Sequence, residues 1–174
     1  IIALVLKDRQ SSVEPTADEL ERKKRACGRE MVRPINSTLV VAPASVANQW
    51  ASEVTKFTGS SRLSVLVYHG PSRKKLNTHS FGQSDIVITT YDVVASEVGV
   101  GNENDEKASG DESGDDGSFV RRQTRHASPL MRVAWHRIVL DEAHSIKNHT
   151  AKRAKALFRL RSTHRWCLTG TPIH

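Results

Sequence analysis

Ile138-Val139-Leu140-Asp141-Glu142-Ala143-His144 joins an apolar run directly to two carboxylates and a histidine. Arg137–Leu140 gives a short apolar run, the pattern of a parallel strand covered on both faces. Two carboxylates follow at once, at the carboxyl end of that strand, where open α/β sheets bind ligands. Nucleotide hydrolysis needs one carboxylate to hold magnesium, directly or through water, and a second to orient and deprotonate the attacking water. Asp141 and Glu142 fit those two roles. An Asp-Glu pair after a strand also starts ordinary turns, so the pair by itself does not separate chemistry from a loop.

Outward from this run, further β-branched stretches read as buried strands: Ser37–Ala42, Leu63–Tyr68, Asp85–Thr89 and Arg165–Leu168. Helical patterns fall between them. One carries Val46, Trp50, Val54 and Phe57 at spacings of four, four and three, with Ser45 placed to cap it. Another runs from about Thr150 to Leu160, with Ala151, Ala154, Leu157 and Phe158 expected inward and Lys152, Arg153, Lys155 and Arg159 outward. Alternating strands and helices predict an α/β fold with a mostly parallel sheet. The last strand ends in Leu168-Thr169-Gly170-Thr171-Pro172, where two hydroxyls can bond a catalytic carboxylate or sense a phosphate. A plain Gly-Pro turn leaving the sheet explains the same residues.

Two insertions interrupt the rhythm. Residues 7–36 are charged, with a capping-box start at Thr16/Glu19 and a basic cluster Arg22-Lys23-Lys24-Arg25 that reads either as a nuclear import signal or as a solvated helix face. Residues 99–128 are rich in Gly, Ser and acid, a composition expected to form a disordered loop. Ser109 and Ser113, each with an acid three residues on, are candidate sites of acidophilic phosphorylation.

Hydrophobic residues make up 37 % of the 174, a low share for one domain, as expected if the insertions are not packed. The net charge is +7; residues 99–118 carry seven acids against Lys107, a local −6, so the rest carries +13. Such a surplus suits a polyanion as partner, and equally suits mere solubility. No apolar run approaches the ~20 residues of a membrane span, and Ile1–Leu6 lacks the marks of a signal peptide, so the chain is expected to be soluble and intracellular. Cys27 and Cys167 lack any metal-ligand spacing and read as reduced thiols.

With both strand ends in view, Leu140–Asn148 (LDEAHSIKN) and Leu168–Ile173 (LTGTPI) resemble motifs II and III of the Swi/Snf family, helicase-like ATPases of superfamily 2. Val40–Pro43 with Ser45, Gln49-Trp50, Glu53 and Phe57 resembles motif Ia, and Ile88–Tyr91 resembles motif Ib. Ile1–Leu6 resembles the helix after the phosphate-binding loop. The resemblance covers nearly all of the chain except the insertions. Trp135-His136-Arg137 and Arg165-Trp166 match best the subgroup of helicase-like transcription factor and post-replication-repair translocases.

The resemblance implies residues 1–174 as a partial first RecA-like lobe, a parallel sheet flanked by helices whose phosphate-loop strand is missing. It implies ATP and Mg2+ as cofactors. Asp141 would bind the magnesium and Glu142 activate water; Ala143 completes the motif. His144 would link the nucleotide site to motif III, with Thr169, Gly170 and Thr171 coupling hydrolysis to DNA movement. Pro43, Ser45, Gln49, Thr89, Thr90 and Tyr91 would line the DNA-facing side. Trp50 reads chiefly as core, Ser45 also as a plain N-cap, and Tyr91 as either. The implied partners are double-stranded DNA, nucleosomes and a second helicase lobe, in the nucleus, for chromatin remodelling or DNA repair. No G-x-x-x-x-G-K-[ST] occurs in the 174 residues, so the chain alone is expected to be inactive. A non-catalytic DNA- or chromatin-binding module is the alternative. A DEAH-type RNA helicase fits less well, since Thr169-Gly170-Thr171 stands where those enzymes have Ser-Ala-Thr.

Overall fold

The computed structural model describes residues 1–11, 32–59, 63–98, 128–146 and 152–170. Within them the chain runs α1 (Ile2–Ser11), β1 (Arg33–Pro34), β2 (Thr38–Ala42), α2 (Ala44–Thr58), β3 (Val65–Val67), α3 (Thr78–Gly82), β4 (Ile86–Thr90), α4 (Tyr91–Glu97), β5 (Val133–Leu140), α5 (Lys152–Arg159) and β6 (Arg161–Cys167). Short 3₁₀ turns lie at Pro71–Lys75, Pro129–Met131 and Ala143–Ile146.

All strand pairs are parallel. β5 pairs along its length with β6 on one edge; on the other it pairs with β1 at Val133 and Ala134 and with β2 at Arg137–Leu140. β4 and then β3 follow beyond β2. The fold is α/β with the expected parallel sheet.

Successive residues in a strand point to opposite faces, and here both faces are apolar. Leu39, Val41, Val87, Ile138 and Leu140 face one core with Tyr68, Phe81, Trp135 and, from α5, Ala156 and Leu157. Val40, Ile86, Ile88 and Val139 face the other, against Val5 of α1 and Ala47 and Val54 of α2. Trp135 is fully buried; its ring lies 5.3 Å from Phe81, and its Nε1 donates to the Leu130 carbonyl at 3.2 Å.

Several sequence expectations need correction. Residues 7–11 continue α1 and 33–34 join the sheet, so the first insertion is narrower than 7–36. β6 begins four residues before its apolar stretch, because β5 offers a pairing edge as far back as Ala134. Ser45 does not cap α2: Pro43 stands at the cap, without a side-chain bond, and Ser45 lies within the first turn. Phe57 and Phe158, both expected inward, are 64 % and 69 % exposed. Ala156 takes the inward place on α5. The capping box, the basic cluster at 22–25, Ser109, Ser113 and Thr171 lie outside the described residues.

Two polar clusters fasten the helices. Arg137, 3 % exposed, donates from Nη2 to Asp8 of α1 at 2.5 Å. Burial would raise the Asp8 carboxyl, but the bond and charge of Arg137 outweigh it and hold the group below its ordinary value. Glu97 accepts from Tyr68, Arg73 and Ser128, at 2.9, 2.8 and 2.9 Å, which ties the end of α4 to the segments following β3 and preceding β5.

Candidate nucleotide and nucleic-acid site

Because the sheet is parallel, the residues after β2, β4, β5 and β6 all emerge at one edge, and the site is built there. Register sets their level: Leu140 stands beside Val41 on one side and Cys167 on the other. The Asp141 N–H donates to the Val41 carbonyl at 2.9 Å, extending β5 by one residue before the chain turns. Leu168 donates to the Leu140 carbonyl at 2.8 Å, and Ala143 donates back to the Leu168 carbonyl at 2.9 Å. Asp141–His144 and Leu168–Gly170 are thereby stitched together through the main chain.

Asp141 accepts at each of its oxygens. Trp50 Nε1 donates to Oδ2 at 2.7 Å, the Glu142 N–H to Oδ1 at 3.0 Å, and the Tyr91 hydroxyl to the main-chain carbonyl at 2.7 Å. Trp50, expected to be core, does pack against the second core while partly buried, and its Nε1 reaches this carboxylate as well. Burial, and then the charge of Asp141, push the Tyr91 hydroxyl above its ordinary value, so it stays protonated and donating across the physiological range.

Glu142 has φ of 50°, the one non-glycine residue at positive φ among the described residues. An L side chain there costs about 1–3 kcal/mol and persists only where its surroundings require it. The turn throws the Glu142 side chain outward, about half exposed, where His144 Nδ1 lies 3.1 Å from its Oε2. A half-exposed carboxylate beside a half-exposed imidazole at a sheet edge can take and relay a proton.

The other expected residues divide into two groups. Pro43 is half-buried, and Ser45 and Gln49 are exposed on α2, open to a partner. Thr89, Thr90 and Tyr91 are buried, contrary to the expectation that they line a surface. Thr89 donates to the Tyr68 carbonyl at 3.0 Å, Thr90 caps α4 by accepting from the Val93 N–H at 3.3 Å, and Tyr91 is held by Asp141. Thr169 is half-buried and Gly170 exposed after β6.

Among the described residues no group of three or more His, Cys, Asp and Glu could hold a metal by itself. Magnesium takes one or two protein carboxylates, keeps several waters and completes its shell with substrate phosphates, a donor set that the Asp141 and Glu142 carboxylates at this edge fit.

A family model described as the SNF2-related domain matches residues 1–174. The chain is 37 % identical to helicase-like transcription factor CHR28 of Arabidopsis thaliana over 171 residues, covering 81 % of this chain and 17 % of that protein. It is 41 % identical to the human E3 ubiquitin-protein ligase SHPRH, covering 79 % and 8 %. With DNA repair protein RAD5A of Arabidopsis thaliana it shares 37 %, covering 86 % and 12 %. The chain thus spans less than a fifth of these relatives. Among solved structures it resembles the Sulfolobus solfataricus SWI2/SNF2 ATPase core in complex with dsDNA, with TM-score 0.54 and 31 % identity over 86 % of this chain and 24 % of that one. The chain belongs to the SNF2-related family of helicase-like ATPases, and its relatives there include helicase-like transcription factor, SHPRH and RAD5 proteins.

Proposed function

We propose that residues 1–174 form part of the first RecA-like lobe of an ATP-dependent translocase on double-stranded DNA, acting in the nucleus in repair or chromatin remodelling. The observation that carries the reading is the Asp141–Glu142 turn at the carboxyl edge of a parallel sheet, stitched to Leu168. Asp141 would hold magnesium, which when bound would supply charge neutralisation at the phosphates. Glu142 receives the proton of the attacking water, and His144 holds its carboxylate. Thr169, Gly170 and Thr171 relay the nucleotide state. Pro43, Ser45 and Gln49 meet the duplex through phosphate contacts that read no bases. Thr89, Thr90 and Tyr91 support that surface from beneath. Hydrolysis also needs a phosphate-binding lysine and a second lobe, so the 174 residues alone are inactive, and nucleosomal DNA is one substrate of the complete motor.

Displacement of a triplex-forming strand from duplex DNA tests the translocase directly. The full-length protein carrying this lobe is expected to displace the strand only with ATP. Duplex binding without displacement would favour a non-catalytic binding module derived from the same lobe.

A further inference from the structure

Asp141 is held at its carboxylate and at its main-chain carbonyl by donors outside its own turn, one from α2 and one from the start of α4. Trp50 lies on α2, next to Gln49 and on the same helix as Ser45, whose exposed side chains meet the duplex in the reading above. Tyr91 opens α4, immediately after β4. The indole N–H reaches the carboxylate Oδ2 at 2.7 Å and the phenol reaches the main-chain carbonyl at 2.7 Å. With the Glu142 N–H on Oδ1, no oxygen of Asp141 is left to drift.

Both rings pack against the cores, Tyr91 in one and Trp50 at the margin of the other, and each also directs its polar atom to Asp141. Trp50 is only partly buried, so water could satisfy its N–H; instead it makes a short charge-assisted bond to the one carboxylate reserved for metal. An indole has two rotatable bonds and a rigid body. A shift of α2 along the duplex is therefore delivered to Oδ2 almost undamped. Tyr91 does the same for the backbone at the start of the turn, which sets where Glu142 points.

We propose that Trp50 and Tyr91 are positioning residues that clamp Asp141 and couple duplex engagement at α2 and the β4–α4 corner to the nucleotide site. The proposal rests on the ATPase reading of the previous subsection. Coupling of this kind is reciprocal: if DNA alters the site that grips nucleotide, nucleotide alters DNA affinity by the same factor.

The test uses the full-length protein and its Trp50→Phe and Tyr91→Phe variants, which keep an aromatic ring at each position and remove the donor. Duplex affinity is measured with and without a magnesium-bound, non-hydrolysable ATP analogue. The wild type is expected to show an affinity ratio at least about fivefold from one. In each variant the ratio should move most of the way to one while duplex binding itself is retained, with unfolding midpoints measured alongside to confirm that the variant is folded at the assay temperature. Trp50→His, which retains a ring N–H, should lie between wild type and Trp50→Phe, and it carries the comparison if the Phe variant unfolds early. Variants that keep the wild-type ratio, or a wild type whose ratio is one, would overturn the clamp. Failure of the ATPase reading would look different: no turnover in the wild type that depends on Glu142, whatever the ratio.

Discussion

Glu142 combines the least favourable backbone on the described chain with the side chain on which the proposed chemistry depends. The two are linked. A residue at φ of 50° reverses the chain at once after β5, so that consecutive carboxylates diverge, Asp141 inward to Trp50 and Glu142 outward to His144. Glu142→Gly should therefore stabilise the lobe, since glycine adopts that φ freely; after its own entropy cost the net gain is about 0.5–1 kcal/mol. Chemical denaturation checks it, and an unchanged or lowered midpoint would mean the turn holds no strain. At this scale the sequence was partly legible. Asp141 and Glu142 stand out because an apolar strand delivers two acids to a sheet edge. The partner of Asp141 does not, because Trp50 is 91 residues away and its apolar helical spacing speaks only of packing. Thr89, Thr90 and Tyr91 misled for a similar reason, since a hydroxyl in a sequence carries no sign of whether it bonds inward or outward.

Among the elements, α1 depends most on one polar contact. The buried Arg137 meets Asp8 across the sheet face, with its Nε left unpartnered, so the guanidinium depends on that carboxylate for compensation. Asp8→Asn exchanges a charge-assisted bond for a neutral one and should cost about 1 kcal/mol at neutral pH. The folded-state pKa of Asp8 lies below its ordinary 3.8, so the charge contribution is present above that value and disappears as pH falls through the folded value. The difference between wild type and variant should accordingly shrink as pH falls below 3.8 and through the folded value, in thermal unfolding followed across pH. A difference independent of pH would mean that the Asp8 charge does not help to hold α1. Trp135→Phe gives the apolar counterpart: the lost bond to Leu130 and the space left under Phe81 should cost about 1–3 kcal/mol in denaturation. The strands were readable as elements because both faces bury aliphatic residues. Their ends were not, since pairing partners decide them: polar Arg161–His164 form strand only because β5 lies alongside.

At the scale of the molecule, the order β6-β5-β2-β4-β3 brings the turns after four strands to a single edge, so nucleotide chemistry and a nucleic-acid surface can share one set of main-chain contacts. The class of fold follows from alternating strands and helices. The strand order does not, because continuous apolar runs are equally content beside any neighbour. The basic surplus outside residues 99–118 predicts salt-sensitive, sequence-independent duplex binding. If the lobe neutralises about four phosphates, affinity should fall roughly 10²-fold between 50 and 200 mM salt. Titrations with two unrelated duplexes would check this, and affinity that ignored salt would refute the phosphate-contact account.

ATP hydrolysis in the full-length protein, with and without double-stranded DNA and beside Glu142→Gln, tests whether this lobe drives a DNA-dependent motor. Duplex DNA is expected to stimulate turnover, and the variant, whose amide cannot accept the proton, to lose about 10²-fold or more. Duplex-stimulated turnover that survives in Glu142→Gln, or none in the wild type while it still binds DNA, would contradict the motor reading.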